Sequence, residues 1–280
     1  MLRQRIITAL WLVALFLPAL FHPRSEWLAG LSLVLISLAG WEWGRLMGCG
    51  ARVAVGLGLA CLGACLITWA LAGADGANDG FWLAISLLWL FGGAWMLRWG
   101  LTHWMRLPLE WRCALGVLVL WSTWWALWAA KSLGTQFLLS VLLLVWVADI
   151  SAYFCGRAFG RRKLAASISP GKSWEGVAGA VLGVGLLAAA WLWWDAQFPS
   201  DSPSLYTVLM QRGWGIALLG VVWLTAMSVV GDLVESLVKR CAGVKDSSAL
   251  LPGHGGVLDR VDALLPVFPL ALCLNAWVNA

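Results

Sequence analysis

The chain has 280 residues, 61% of them hydrophobic and only 12% charged, and its mean hydropathy is +0.83. Such a composition excludes both an ordinary soluble domain and a disordered chain. The net charge of +5, from 19 Lys and Arg against 14 Asp and Glu, could suit a nucleic-acid partner, but in a membrane protein the placement of charge says more than its sum, and no nucleic acid is expected. At ~20 residues per spanning helix the length accommodates about nine or ten crossings with short loops.

The chain opens MLRQRIITALWLVALFLPALF, two arginines followed by an apolar run, as a signal peptide would. FHPRSE then offers no small-x-small cleavage site and further apolar runs follow at once, so an uncleaved first crossing is expected. Apolar runs read as helices at about 6–21, 27–47, 53–72, 81–97, 113–130, 135–155, 176–194, 213–232 and 261–279. With the N-terminus cytoplasmic, sixteen of the 19 Lys and Arg fall on the cytoplasmic side and three (Arg24, Lys131, Arg212) on the other. That bias supports nine helices in a multi-pass protein of the inner (cytoplasmic) membrane.

Residues 1–130 read as a scaffold of lipid-facing helices, and 131–280 as a catalytic region with cytoplasmic loops at 156–175 and 239–260. In the scaffold, Gly40, Gly44 and Gly48 share one helix face and suit close packing. Glu42, an acid at membrane depth, reads as the partner of Arg45 one turn on, ahead of a substrate contact. The tryptophans of WSTWWALW at 121–128 read as lipid-facing or interfacial. The basic, amphipathic stretch 98–112 is expected to lie on the inner leaflet, with His103 at its surface. Seven scattered cysteines show no metal-ligand spacing and read as small apolar fillers.

The second half changes character. Asp149 lies deep in an apolar run with Tyr153 one turn later, and a lone intramembrane acid is a candidate for function. Arg157, Arg161, Arg162 and Lys163 follow as a topology anchor. ISPGKSWEG then reads as a Pro-Gly turn, a cation at Lys172, and a helix start with Ser173 as N-cap and Glu175 in the first turn. Free amides at such a start suit a phosphate. The GKS within it is not a P-loop, because Ala166 stands where that pattern needs Gly and no strand precedes it. Gly176, Gly179 and Gly183 read as packing positions.

From Ser228 to Asp262 the sequence concentrates five of the fourteen acids and four of the nineteen basic residues. Ser228, Asp232, Ser236 and Arg240 fall on one helical face. LPGHGG frees the backbone to wrap a ligand, and Asp259 and Asp262 open the next apolar run. Two helix ends bearing carboxylates, joined by a loop of cations and glycines, suit a metal and polyphosphate site.

The series Ser236-Leu237-x-Lys239-Arg240, Lys245-Asp246, Pro252-x-His254-Gly255-Gly256 and Asp259-Arg260-x-Asp262 resembles the hallmark motif of phosphatidate cytidylyltransferases, the integral membrane enzymes that make CDP-diacylglycerol. Asp149-x-x-Ala-Tyr with Ser-Pro-x-Lys172-Ser173-x-Glu175-Gly resembles a second recurrent segment of that family. The first 130 residues match only in hydropathy and layout. The resemblance implies an all-α membrane enzyme in which the phosphate of phosphatidic acid attacks the α-phosphorus of CTP. All reacting groups are anionic, so Mg²⁺ or Mn²⁺ and fixed cations are needed. Asp232 and Asp259 are expected as metal ligands, with Asp246, Asp262 and Asp149 as outer or additional ones. Lys239, Arg240, Lys245, Arg260 and Lys172 would neutralise phosphates. His254 would bond a phosphate, relay a proton or be structural, and Ser173, Ser236, Gly255 and Gly256 would line the nucleotide site. Singly, such charges also read as helix-end ion pairs, Glu235–Lys239 among them. A nucleotide-dependent polyprenol-type lipid kinase and a secondary transporter are the alternatives. A homodimer is compatible with all of these.

Overall fold

The computed structural model describes residues 2–198 and 202–280. The side chains of residues 2–6, 9 and 12 lie outside the description, and with them Arg3 and Arg5 of the charge count. The helices are α1 (Leu2–Phe21), α2 (Glu26–Leu46), α3 (Ala51–Leu71), α4 (Asp79–Leu87), α5 (Gly93–Arg106), α6 (Leu109–Leu133) and α7 (Thr135–Phe159). After the short strands β1 (Lys163–Ala165) and β2 (Ser169–Ser173) come α8 (Trp174–Gln197), α9 (Leu205–Met210), α10 (Trp214–Cys241), α11 (Leu258–Val261) and α12 (Leu264–Asn279). A π-helical turn, Leu88–Gly92, joins α4 to α5. Among the described residues eight helices are long and apolar enough to cross a membrane, counting α4–α5 as one and α11–α12 as one. The molecule is an all-α, multi-pass membrane protein.

Small residues let the helices approach. A Cβ on Gly44 would overlap the Ala54 backbone of α3, and one on Gly40 would press on Cys61. Gly48 does something else: its φ of 76° closes α2, with its own amide bonded to the Arg45 carbonyl. In the α7–α8 pair, Cys155 fills the space above Gly179 and Ser151 that above Gly183. The packing role expected of Gly176, Gly179 and Gly183 is therefore borne out.

Two expectations need correction. Trp124, Trp125 and Trp128 do not face lipid; they are buried at 1%, 7% and 4% exposure. Their indole N–H groups donate to Ala29 O, Gly73 O and Ser25 Oγ, which satisfies the one polar atom each ring brings into the core. Within the stretch 98–112 the structure adds a break and one buried ring. The chain breaks at Gly100 (φ 69°) and turns Trp104 inward, edge-on to Trp43 at 6.2 Å. Finally, the 156–175 loop carries a small antiparallel hairpin. Its turn falls between Ala165 and Ile168, and Pro170-Gly171 lie within β2.

Candidate functional site

The site is assembled at one end of the bundle, where α2, α7, α10 and α11 meet the hairpin and the loop 242–257. α10 is longer than its apolar run suggested and continues to Cys241, so Asp232 lies well inside the helix instead of closing it. Lys239 and Arg240 occupy its last turn, where cations favour the exposed carbonyl end. Asp259 is in the first turn of α11, as expected.

Lys239 Nζ sits between two carboxylates, 2.5 Å from Glu235 Oε2 and 2.6 Å from Asp259 Oδ1. All three side chains are buried or nearly so. A lysine at that depth is held by the acids that neutralise it. The Glu235–Lys239 ion pair was legible from the spacing. The other Asp259 oxygen accepts from Ser247 N, Ser247 Oγ and Gly256 N, all within 2.9 Å. Asp259 is thus saturated by donors from the loop it follows.

The loop folds back on itself through a bridge between Leu251 and Gly255. Gly255 takes φ 81°, a region that side chains disfavour. A Cβ on Gly256 would overlap both Ser247 Oγ and the Glu42 carboxylate. Arg260 reaches back with Nε and Nη2 to the His254 carbonyl at 3.1 and 2.7 Å. The buried His254 Nδ1 has no partner among the described residues. From α1, Thr8 Oγ1 donates to the Pro252 carbonyl at 2.9 Å.

Glu42 is not the partner of Arg45, which instead stacks on Trp41 at 5.1 Å. Fully buried at the end of α2, it accepts hydrogen bonds from Val257 N, Leu258 N, Ser247 Oγ and Ser248 Oγ. Its contribution to this loop was missed. An acid at membrane depth and a Ser-Ser pair in a polar loop were the available signals, but nothing local connects positions so far apart in sequence.

A second cluster lies on the neighbouring face of α10. Lys172, on β2, contacts Asp232 Oδ2 at 2.6 Å, and Ser236 Oγ donates to Asp232 Oδ1 at 3.3 Å. Asp149 of α7, Asp232 of α10 and Asp262 beyond α11 lie within electrostatic reach of one another, with Lys172 and Arg260 nearby. α10 and the Asp262 segment pack so closely that a Cβ on Gly231 would press on the Asp262 carbonyl. Asp149 has no hydrogen-bond partner among the described residues; Tyr153 accepts instead from Arg157 Nη1 at 3.2 Å.

The hairpin is secured from both sides. Arg240 Nε donates to Ile168 O at 3.3 Å, and its Nη1 to Val244 O at 3.1 Å. Ser173 caps α8 by accepting from Gly176 N at 3.1 Å, as its position predicted. Glu175 reaches back to the amides of Arg161 and Arg162, a contact the sequence did not suggest. The exposed side chains of Arg161, Arg162, Lys163 and Lys245 make no ion pair among the described residues, nor does exposed Asp246.

The predicted residues therefore sort into two groups. Asp149, Asp232, Asp262, Lys172 and Ser236 converge on one face. Lys239, Asp259, Arg260, His254, Gly255 and Gly256 belong to the folded loop, while Lys245, Asp246 and Arg240 stand at its rim. Asp232 and Asp259, expected to share one ion, point into different groups. Among the described residues no three acid, His or Cys side chains already close around a single point. Even so, three carboxylates from three elements, one of them unpartnered and only one held by a lysine, are a hard-oxygen donor set with excess negative charge.

The model of the cytidylyltransferase family matches residues 3–277. The chain is 39% identical over 299 residues to the phosphatidate cytidylyltransferase of Pseudomonas aeruginosa, covering 99% of both. It is 35% identical to that of Haemophilus influenzae, covering 96% of each. To the Bacillus subtilis protein of the same name it is 38% identical over 143 residues, about half of each chain.

Proposed function

From the premise that the chain belongs to the cytidylyltransferase family, we propose that it transfers CMP from CTP to phosphatidic acid, giving CDP-diacylglycerol and pyrophosphate. It is a nucleotidyltransferase of phospholipid synthesis. A phosphate oxygen of the lipid forms a bond to the α-phosphorus of CTP while the bond from that phosphorus to the bridging oxygen breaks, and pyrophosphate leaves with the electron pair. Every participant is anionic, so positioning and charge neutralisation dominate the barrier. The observation that carries the reading is the convergence of Asp149, Asp232 and Asp262 with Lys172 and Arg260 at the bundle end that also bears the unpaired cations.

In this reading Asp149, Asp232 and Asp262 would hold Mg²⁺ or Mn²⁺, which when bound supplies positive charge against the phosphates. Arg161, Arg162, Lys163 and Lys245 draw the nucleotide and the lipid headgroup to the site through their free charges. Lys172 reaches the same space from the hairpin. Lys239 and Asp259 serve by holding the loop in shape, and Arg260, anchored on the His254 carbonyl, keeps its charge within electrostatic reach of Asp149. Phosphatidic acid enters from the bilayer that surrounds the exposed apolar faces of the helices.

The reading requires the site to face the cytoplasm, in an inner membrane with a cytoplasmic N-terminus, because CTP is made there. Single cysteines placed at 157–172 and 239–260 are expected to react with an impermeant maleimide only after the cells are opened. Labelling in intact cells would contradict the orientation. The reaction itself is tested with purified protein in detergent: CDP-diacylglycerol identified by mass is expected to appear in proportion to pyrophosphate, and only when phosphatidic acid is present. Pyrophosphate release without a nucleotide-bearing lipid would refute it.

A further inference from the structure

We infer that Glu42 is a positioning residue for this transfer: from α2 it caps α11, the short helix that carries Asp259 and Arg260 and leads into Asp262, and so sets where Arg260 and Asp262 stand toward the substrates. The inference rests on the reaction proposed above but concerns a residue in the half of the molecule otherwise read as scaffold.

A helix start leaves backbone N–H groups without partners, and an N-cap side chain normally takes one of them. α11 has no side-chain cap of its own. Its first amides, Val257 N and Leu258 N, donate instead to Glu42 Oε1 at 3.0 Å and Oε2 at 2.7 Å. Each oxygen also receives one hydroxyl, Ser248 Oγ on Oε1 and Ser247 Oγ on Oε2. An ionised carboxylate only accepts, so two amides, the Ser248 hydroxyl and the Ser247 hydroxyl, whose one proton is shared with Asp259, suit the charge and leave no place for a neutral amide. The negative charge lies at the positive end of the helix, which lowers the cost of burying it. No cation among the described residues pairs with it.

The contact is coupled to the functional group. Ser247, which meets Glu42, also donates from its amide and its hydroxyl to Asp259, and Asp259 holds Lys239 of α10. Gly256 is confined between Ser247 and Glu42. One buried network therefore runs from α2 through the loop to α11 and α10. Displacement of the α11 start shifts Arg260 and Asp262 with it, and a displacement of about 1 Å in a positioned group costs on the order of 10²-fold in rate.

The experiment compares the parent with Glu42→Gln and Ser248→Ala in detergent. Gln turns its amide N–H against Val257 N or Leu258 N, donor to donor, whereas Ser248→Ala leaves both amides capped. For Glu42→Gln, kcat is expected to fall about 10²-fold with KM for CTP within about threefold of the parent. Melting temperature should change little, and hydrogen exchange should accelerate at 257–258 but not in α7 or α8. Ser248→Ala should lose less than about tenfold, because one hydrogen bond of the four is removed. Folded Glu42→Gln with parental kcat, or with unchanged exchange at 257–258, would overturn the proposal; so would a lowered melting temperature with unchanged turnover per folded molecule. If Glu42→Gln does not fold, Glu42→Asp, which keeps the charge but draws the carboxylate back from the two amides by one methylene, must show the same kcat-specific loss with faster exchange at 257–258, and parental kcat in that variant overturns the proposal. A parent without CMP transfer would instead refute the reaction on which the proposal rests, and the proposal with it, although the exchange result would still stand.

Discussion

Purified Asp232→Asn is expected to fold normally and to turn over about 10³-fold more slowly than the parent, the loss of several kcal/mol of charge stabilisation in the transition state. Asn keeps the size and the hydrogen bond from Ser236 but removes the charge that meets Lys172 at 2.6 Å and faces Asp149 and Asp262. Asp149→Asn and Asp262→Asn should behave in the same way. In each variant the rise in melting temperature that Mg²⁺ gives the parent should disappear, because binding to the folded state alone is what produces that rise. Asp259→Asn provides the contrast. Its carboxylate is committed to Lys239 and the loop amides, so the variant should melt earlier yet keep its Mg²⁺ response. A folded Asp232→Asn with near-parental turnover and an intact Mg²⁺ shift would remove the carboxylate face from the account.

Lys239→Met is expected to be among the most destabilising single changes in the molecule, at about 3–5 kcal/mol. Methionine fills nearly the same space, but Glu235 and Asp259 are left buried with no cation between them. Glu235 is only 2% exposed and has no other partner among the described residues. Adding Glu235→Gln to Lys239→Met should therefore recover part of the stability, which an additive pair would not do. If Lys239 chiefly contacted the triphosphate, stability would hold in the single variant and only KM for CTP would rise. Melting curves of the single and double variants, measured alongside CTP titrations, separate the two roles.

Much of this molecule was legible in its sequence because a bilayer restricts what a chain can do. Long apolar runs gave the helices and their order, and glycines marked packing faces on α2 and α8 without naming the partners, α3 and α7. Ser173 declared the start of α8 through its own local chemistry. Hydropathy reports whether a helix crosses, however, and not which face meets lipid. Trp124, Trp125 and Trp128 suit a lipid interface as readily as a core, and only partners distant in sequence, at Ala29, Gly73 and Ser25, decide between the two. The end of α10 was misplaced for a related reason. Its final turns are charged, and they remain helical because Lys239 and Arg240 find partners beyond the helix, in Asp259 and Ile168. The link between Glu42 and the loop after α10 joins residues 205–216 positions apart, a distance at which no local pattern speaks.

In the proposed reaction the new bond forms at the α-phosphorus of CTP, and phosphatidic acid supplies the attacking oxygen. The most direct measurement runs [α-³²P]CTP and [γ-³²P]CTP in parallel with purified protein, Mg²⁺ and detergent-dispersed phosphatidic acid, and counts label in the lipid phase. α-Label is expected in the lipid, dependent on phosphatidic acid, with γ-label remaining in aqueous pyrophosphate. Transfer of the γ-label would contradict it and point to a lipid kinase, and no transfer of either label by folded protein would contradict it outright.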